Sequence, residues 1–145
     1  MIDLDNQTNL TLNIDALEEI ASSLTTKEVE LIIIDGENMK RLNSKYRSKE
    51  KSTDVLSFPM EAPFTEQSIF GMPLGSIVIC QDYVITQANV LGHTIQDELS
   101  LLFIHGMLHL LGFDHEIDNG EMRQREEALI EQFGLPKSLI VRTGE

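Results

Sequence analysis

The feature that most constrains the fold is an apolar run over residues 99–113, which contains two histidines and no charged residue. The run is too short to span a bilayer and longer than an ordinary strand, so it predicts a buried helix. Thr94 to Asp97 resembles a capping box, with Asp in place of the usual Glu or Gln, and predicts the start of this helix. The helix should end at about Leu111, before Gly112, because glycine tolerates the left-handed conformation that closes many helices.

The chemistry of this segment lies in its histidines. His105 and His109 are four residues apart, so on a helix they share one face and aim their imidazoles at one point. A chain reversal at Gly112 can bring His115 back towards the pair. Three neutral imidazoles around a divalent ion leave a fourth position for water, as in catalytic zinc sites, although nickel, cobalt or copper also accept such ligands. The alternative is three core or surface histidines that meet by accident; His93 has no such spacing and is predicted to be a surface residue.

The spacing also matches the metzincin signature, His-Glu-x-x-His-x-x-Gly-x-x-His, at all positions but one. Where that signature has its general-base Glu, this chain has Gly106. Peptide hydrolysis in such enzymes needs that carboxylate to transfer protons. A metallopeptidase is therefore an alternative that Gly106 argues against.

Periodicity assigns the rest of the chain to the α/β class. Strands are predicted over residues 2–4, 29–35, 54–58 and 76–80, with Pro59 ending the third. Helices are predicted over residues 13–24, 36–46, 84–91, 94–111 and 118–134. Residues 60–73, with two of the four prolines, are predicted to be loop. The order β-α-β-α-β-β-α-α-α gives about four strands and five helices in one domain, residues 1–145.

Composition bounds the class of protein. With 145 residues and 41% hydrophobic residues, the chain is long enough and apolar enough for one packed core. A single cysteine, Cys80, excludes an internal disulfide and fits a reducing cytosol. The acidic N-terminus lacks the pattern of a signal peptide. We therefore expect a soluble cytoplasmic protein with no membrane partner.

The charge is distributed unevenly. The formal net charge is −13, which argues against non-specific adhesion to nucleic acid or anionic membranes. Six of the eleven basic residues nevertheless fall within residues 40–51. This stretch is either a solvated helix face with its following loop or a local anion site on an otherwise repelling body.

Three blocks of sequence resemble the YbeY family of bacterial metal-dependent endoribonucleases, which act in ribosomal RNA maturation and ribosome quality control. The family motif His-Gly-x-x-His-Leu-x-Gly-[Tyr/Phe]-Asp-His is met over residues 105–115. A second block is met by Leu42-Asn43-x-x-Tyr46-Arg47 and residues 53–59. The third, Leu-Gly-[Asp/Glu]-Ile-x-Ile, is met over residues 74–79 except at Ser76, which replaces the acidic residue.

The resemblance implies a fold, a site and a substrate. The fold would be a mixed four-stranded sheet flanked by helices, with a zincin-like site in which His105, His109 and His115 hold one divalent metal ion, usually zinc. Arg47 would lie near the metal and bind the scissile phosphate, because a guanidinium stays charged and matches phosphate oxygens. Apart from the resemblance, Lys45, Lys49 and Lys51 are predicted to be solvated charges that add at most weak phosphate attraction. The partners would be single-stranded regions of ribosomal RNA and components of ribosome or small-subunit assembly.

The sequence is compatible with more than one role for several of its residues. The nucleophile would be a metal-activated water or the 2′-hydroxyl of the RNA. Asp114 is either a helix-end polar group or a hydrogen-bond partner for a ligand histidine. Residues 121–131 are predicted to be an exposed helix face. Besides the metallopeptidase, a second alternative to the ribonuclease is a non-catalytic ribosome-assembly factor whose metal stabilises the fold.

Overall fold

The predicted order of elements is confirmed. The computed structural model describes residues 1–47, 54–60, 73–114 and 119–136, and within them four strands and five helices follow one another as expected. The strands are β1 (Ile2–Asn6), β2 (Val29–Ile34), β3 (Val55–Pro59) and β4 (Gly75–Cys80). The helices are α1 (Ile14–Leu24), α2 (Gly36–Arg47), α3 (Gln81–Leu91), α4 (Ile95–Leu110) and α5 (Glu121–Gln132).

The strands form one mixed sheet in the order β1-β2-β4-β3. β1 and β4 both run parallel to β2, and β3 runs antiparallel to β4. Pro59, which the sequence places just beyond the third strand, is instead its last residue and pairs with Gly75. Proline is tolerated there because β3 is an edge strand, where a missing backbone donor breaks no central ladder.

The two faces of the sheet carry two separate apolar cores. Side chains of alternate strand residues, such as Ile33 and Ile77, join the larger core with α1 and α4. The intervening residues, such as Ile34 and Val78, pack with Met39 of α2 in a smaller core. The alternation follows from the two-residue period of a strand. It fixes which strand positions can face α4.

Both ends of α4 form as the sequence predicts. The Thr94 hydroxyl accepts a hydrogen bond from the Asp97 backbone N–H at 3.0 Å. At the other end, the N–H of Gly112 donates to His109 O and that of Phe113 to Leu108 O, each at 3.0 Å. With Gly112 at φ 99°, this is a Schellman motif, which ties the chain reversal to the helix turn that carries His109.

Two predictions concern the chain as a whole. In the described parts of the chain, no helix has both the length and the apolar character needed to cross a membrane. The assignment of residues 1–145 to a single domain stays a prediction. Most of the expected loop, residues 61–72, lies outside the described residues.

Candidate metal centre

The central feature of the site is the pair of imidazoles near the end of α4. The Nε2 atoms of His105 and His109 are 3.1 Å apart, and the ring planes meet at 75°. The side chain of His105 is 31% exposed, so the facing nitrogens lie at the boundary between the core and solvent. The predicted convergence of these two histidines is therefore present in the structure.

The distance between the nitrogens fits two ligands of one ion. At a zinc–nitrogen distance of about 2.0–2.1 Å and a tetrahedral angle of about 109°, two nitrogen ligands are about 3.3–3.4 Å apart. The third predicted ligand, His115, lies outside the described residues. Among the residues that are described, no group of three His, Cys, Asp or Glu side chains suits a metal ion. The three-histidine site therefore stays a prediction, which the pair formed by His105 and His109 supports.

A buried carboxylate contacts the other side of this pair. Oε1 of Glu126, on α5, is 2.6 Å from Nδ1 of His105. Glu126 is only 3% exposed, so the carboxylate side of this contact is buried. Ligand histidines commonly donate their second ring N–H to a carboxylate, which fixes the orientation of the ring. Glu126 is not among the site residues predicted from the sequence.

Glu126 lies on α5, within a segment that the sequence predicts to be exposed. The prediction of an exposed helix face over residues 121–131 is wrong for one side of the helix. Met122, Glu126, Leu129 and Ile130 are buried. Their spacing of four, three and one residues is that of one helix face, so the apolar stripe with a carboxylate inside it is the signal that the sequence carries.

Gly106 explains why the metzincin base is missing. A Cβ atom at this position would lie 2.8 Å from Cγ2 of Ile77 on β4, closer than van der Waals contact allows. Position 106 therefore faces the sheet, whereas its neighbour His105 faces His109. A Glu at this position would meet the sheet before it could act on a water beside the histidines, which argues against the peptidase alternative.

Ser76, which replaces the acidic residue of the YbeY motif, is on the opposite face of the sheet from α4. It alternates with Ile77, whose side chain joins the core beneath α4. Its hydroxyl donates a hydrogen bond of 2.7 Å to Oε1 of Glu30, its direct cross-strand partner on β2. A carboxylate is thus present at this place, supplied by the neighbouring strand, and it does not lie on the face that carries α4.

A groove of about 520 Å³ lies over the pair formed by Ser76 and Glu30. Its walls are apolar side chains of the sheet and α2 with a few polar groups among them. The lining residues are Gln7, Glu30, Ile32, Ile34, Asn38, Leu42, Phe58, Ser76 and Val78. The groove is therefore a feature of the α2 side of the sheet, separate from the histidine pair.

The remaining predicted site residues are only partly described. Arg47 is the last residue of α2, but its side chain and the whole of Lys49 lie outside the described residues. Asp114 is half-buried, and its role beside a ligand histidine stays a prediction. Within the basic stretch, Arg41 pairs with Glu37 at 3.6 Å, and both side chains are largely exposed. Such a pair is solvated and contributes little to stability, which is what the interpretation as a solvated helix face predicts for this residue.

A mixed four-stranded sheet with a histidine pair on a buried helix defines a small α/β protein with a candidate metal centre. Comparison with known proteins narrows this class. A sequence model of the family described as Endoribonuclease YbeY matches residues 2–134. The protein named Endoribonuclease YbeY from Sulfurovum sp. is 63% identical over 142 residues, covering 98% of this chain and 97% of its own. The one from Sulfurimonas denitrificans is 55% identical over 144 residues, covering 99% of both chains.

The fold is also found in a solved structure. The solution structure of TM1509 from Thermotoga maritima superposes with a TM-score of 0.60 at 25% sequence identity, covering 92% of this chain and 89% of the other. The chain belongs to the YbeY family. The resemblance drawn from the three sequence blocks is confirmed.

Proposed function

We propose that this chain is a metal-dependent endoribonuclease that cleaves single-stranded ribosomal RNA during ribosome maturation and quality control. Membership of a family whose members are named endoribonucleases supports the reaction class. The observation that carries the metal site is the 3.1 Å separation of the Nε2 atoms of His105 and His109. We propose His115 as the third ligand and one zinc ion as the cofactor, with nickel as the alternative.

The chain's own contribution to the metal site is positioning. The Schellman motif at Gly112 holds the turn that carries His109, and Glu126 contacts His105 from behind. A bound divalent ion would supply Lewis-acid charge stabilisation at the scissile phosphate and would lower the pKa of a coordinated water. Because phosphoryl transfer depends mainly on positioning and charge neutralisation, rigid ligands suit it well.

The RNA backbone would be bound by cationic side chains in the part of the chain where α2 ends. We propose that Arg47 binds the scissile phosphate through its guanidinium and that Lys49 adds weaker attraction. With a net charge of −13, the rest of the surface repels RNA. Productive binding therefore depends on the few cations near the site, which makes Arg47 sensitive to substitution.

The cellular setting follows from the proposed substrate. We propose a cytoplasmic protein that meets its RNA in the ribosome or in small-subunit assembly intermediates. The single cysteine, Cys80, is buried, and one cysteine cannot form an internal disulfide, which is compatible with a reducing compartment.

Incubation of the purified protein with end-labelled RNA tests the proposal. We expect zinc-dependent cleavage of a single-stranded RNA and little cleavage of the same sequence in a duplex. His109→Ala should abolish cleavage, and Arg47→Ala should reduce it by at least about tenfold, the loss expected when a charged hydrogen bond worth about 1.5–3 kcal/mol is removed. Lys27→Ala, a basic residue between α1 and β2, is the matched control and should leave cleavage unchanged.

The products and a second substrate separate the alternatives. Attack by the RNA 2′-hydroxyl leaves a 2′,3′-cyclic phosphate and a 5′-hydroxyl, whereas attack by water leaves no cyclic end. Unfolded casein serves as the peptidase substrate. Casein cleavage that is abolished by a chelator and indifferent to Arg47→Ala would contradict the ribonuclease proposal, as would an RNA cleavage that survives His109→Ala.

A further inference from the structure

The inner face of α5 buries a carboxylate where a hydrocarbon would pack at lower cost. Glu126 is 3% exposed and lies on the same face as Met122, Leu129 and Ile130, each at most 1% exposed. Removing a charged group from water is unfavourable unless a specific partner compensates it. The partner of Glu126 is the ring of His105, 21 residues away in sequence.

The contact with Glu126 bears on which nitrogen of the His105 ring carries a proton. Oε1 of Glu126 is 2.6 Å from Nδ1 of His105, slightly shorter than the about 2.7–2.9 Å of charge-assisted N–H···O hydrogen bonds. An ionised carboxylate can only accept, so Nδ1 donates. In a neutral imidazole the other nitrogen, Nε2, then carries a lone pair.

That lone pair is on the nitrogen that faces the second histidine of the proposed metal site. Nε2 of His105 is the atom that lies 3.1 Å from Nε2 of His109. We propose that Glu126 is a positioning residue: its hydrogen bond selects the Nδ1–H form of His105 and holds Nε2, unprotonated, towards His109. The inference rests on the metal site of the proposed function, for which it names the residue that orients one ligand.

The neighbouring carboxylate on α5 provides a matched contrast. Glu127 accepts a hydrogen bond from Nε of Arg123 at 3.2 Å, and their side chains are 36% and 56% exposed. It carries the same charge as Glu126 and lies on the same helix, but its partner is a surface arginine one turn away. Substitution of Glu127 therefore measures the effect of removing a charge from α5 without disturbing His105.

The first experiment measures zinc affinity by competition with a chromogenic chelator, with the full chain at fixed pH. Loss of an outer hydrogen-bond partner of a ligand histidine typically weakens metal binding by about 10- to 100-fold. We expect a loss of this size in Glu126→Leu, a smaller loss in Glu126→Gln, whose amide oxygen can still accept from Nδ1, and wild-type affinity in Glu127→Gln. Equal losses in the Gln and Leu variants, or wild-type affinity in the Leu variant, would overturn the inference.

The second experiment needs neither metal nor a variant. Two-bond nitrogen–proton NMR correlations of the metal-free wild-type protein report which ring nitrogen of His105 is protonated. We expect Nδ1–H, and a His105 ring protonated on Nε2 alone would overturn the inference even if Glu126→Leu failed to fold. A wild-type chain that shows Nδ1–H but binds no zinc would instead contradict the proposed metal site and leave the positioning role intact.

Discussion

Gly106 lies against Ile77 so closely that a Cβ atom on the glycine would be 2.8 Å from Cγ2 of the isoleucine. The residue beside the first histidine of the site is therefore a point of close approach between α4 and β4. Moving α4 away from the sheet would expose the apolar face that the helix buries. We therefore infer that this contact determines the distance between the sheet and the two histidines, His105 and His109.

Gly106→Ala should destabilise the protein. The added methyl group has no space, and overpacking of a core contact typically costs about 1–3 kcal/mol. Thermal and denaturant unfolding of the metal-free protein measure the loss. We also expect weaker zinc binding, since relief of the clash displaces the helix that carries both histidines.

A double-mutant cycle with Ile77 isolates this contact. Ile77→Ala removes the three atoms nearest to a Cβ at position 106, so Gly106→Ala should cost much less in that background. Additive losses in the double variant would show that the destabilisation has another origin, such as a change in the unfolded state.

Local patterns make the elements of this fold predictable. Thr94 and Gly112 start and end α4 by hydrogen bonds within a few residues, so their roles can be inferred from sequence alone. The same holds for the facing of His105 and His109, which follows from helix geometry.

Long-range partners cannot be predicted in this way. The contact between Glu126 and His105 depends on how α5 packs against α4, and the charge of Glu126 hides the buried stripe of α5. The pairing of Glu30 with Ser76 depends on strand register across 46 residues. Neither is encoded in local spacing, which is why the sequence suggests the nearby Asp114, and not Glu126, as the partner of a ligand histidine.

The start of α2 should respond to substitution in a context-dependent way. The Gly36 N–H donates to Oδ2 of Asp82, in the first turn of α3, at 3.0 Å. A Cβ on Gly36 would collide with this same oxygen. Gly36→Ala therefore displaces the carboxylate and should cost about 1.5–3 kcal/mol, the usual loss for a hydrogen bond to a charged group.

The control is the same substitution in an Asp82→Ala background. Without the carboxylate the collision is gone, and alanine is favoured over glycine in helices by up to about 1 kcal/mol. Gly36→Ala should then be neutral or stabilising in chemical denaturation. An equal cost in both backgrounds would contradict the role given to Asp82.

Restoring the acidic residue of the YbeY motif at position 76 should be unfavourable in this chain. Ser76→Asp would place a second carboxylate directly across from Glu30, and the hydroxyl that donates to Glu30 would be lost. Like charges facing each other across a strand pair destabilise by about 0.2–1 kcal/mol. Unfolding in denaturant should show this loss, which added salt reduces because it screens the repulsion.

Neutralising Glu30 tests whether charge repulsion causes the loss of stability in Ser76→Asp. Ser76→Asp should cost less when it is combined with Glu30→Gln than when it is made alone. Zinc affinity should be unchanged in all of these variants, since the pair lies on the face of the sheet opposite α4. A zinc affinity that follows the charge at position 76 would contradict the separation of the groove from the histidine pair.

Zinc should stabilise the folded protein through His109. A ligand that binds only the folded state at about 100 times its dissociation constant adds about 2.7 kcal/mol to the free energy of unfolding. We therefore expect zinc to raise the Tm of the wild-type protein and a chelator to reverse the rise. The effect should be lost in His109→Ala and kept in His93→Ala, because His93 is on the loop before α4, away from the pair by sequence and helix position. It should also shrink as the pH falls, since protons compete with the metal for imidazole nitrogen. A zinc-dependent Tm that survives His109→Ala would place the ion elsewhere in the protein.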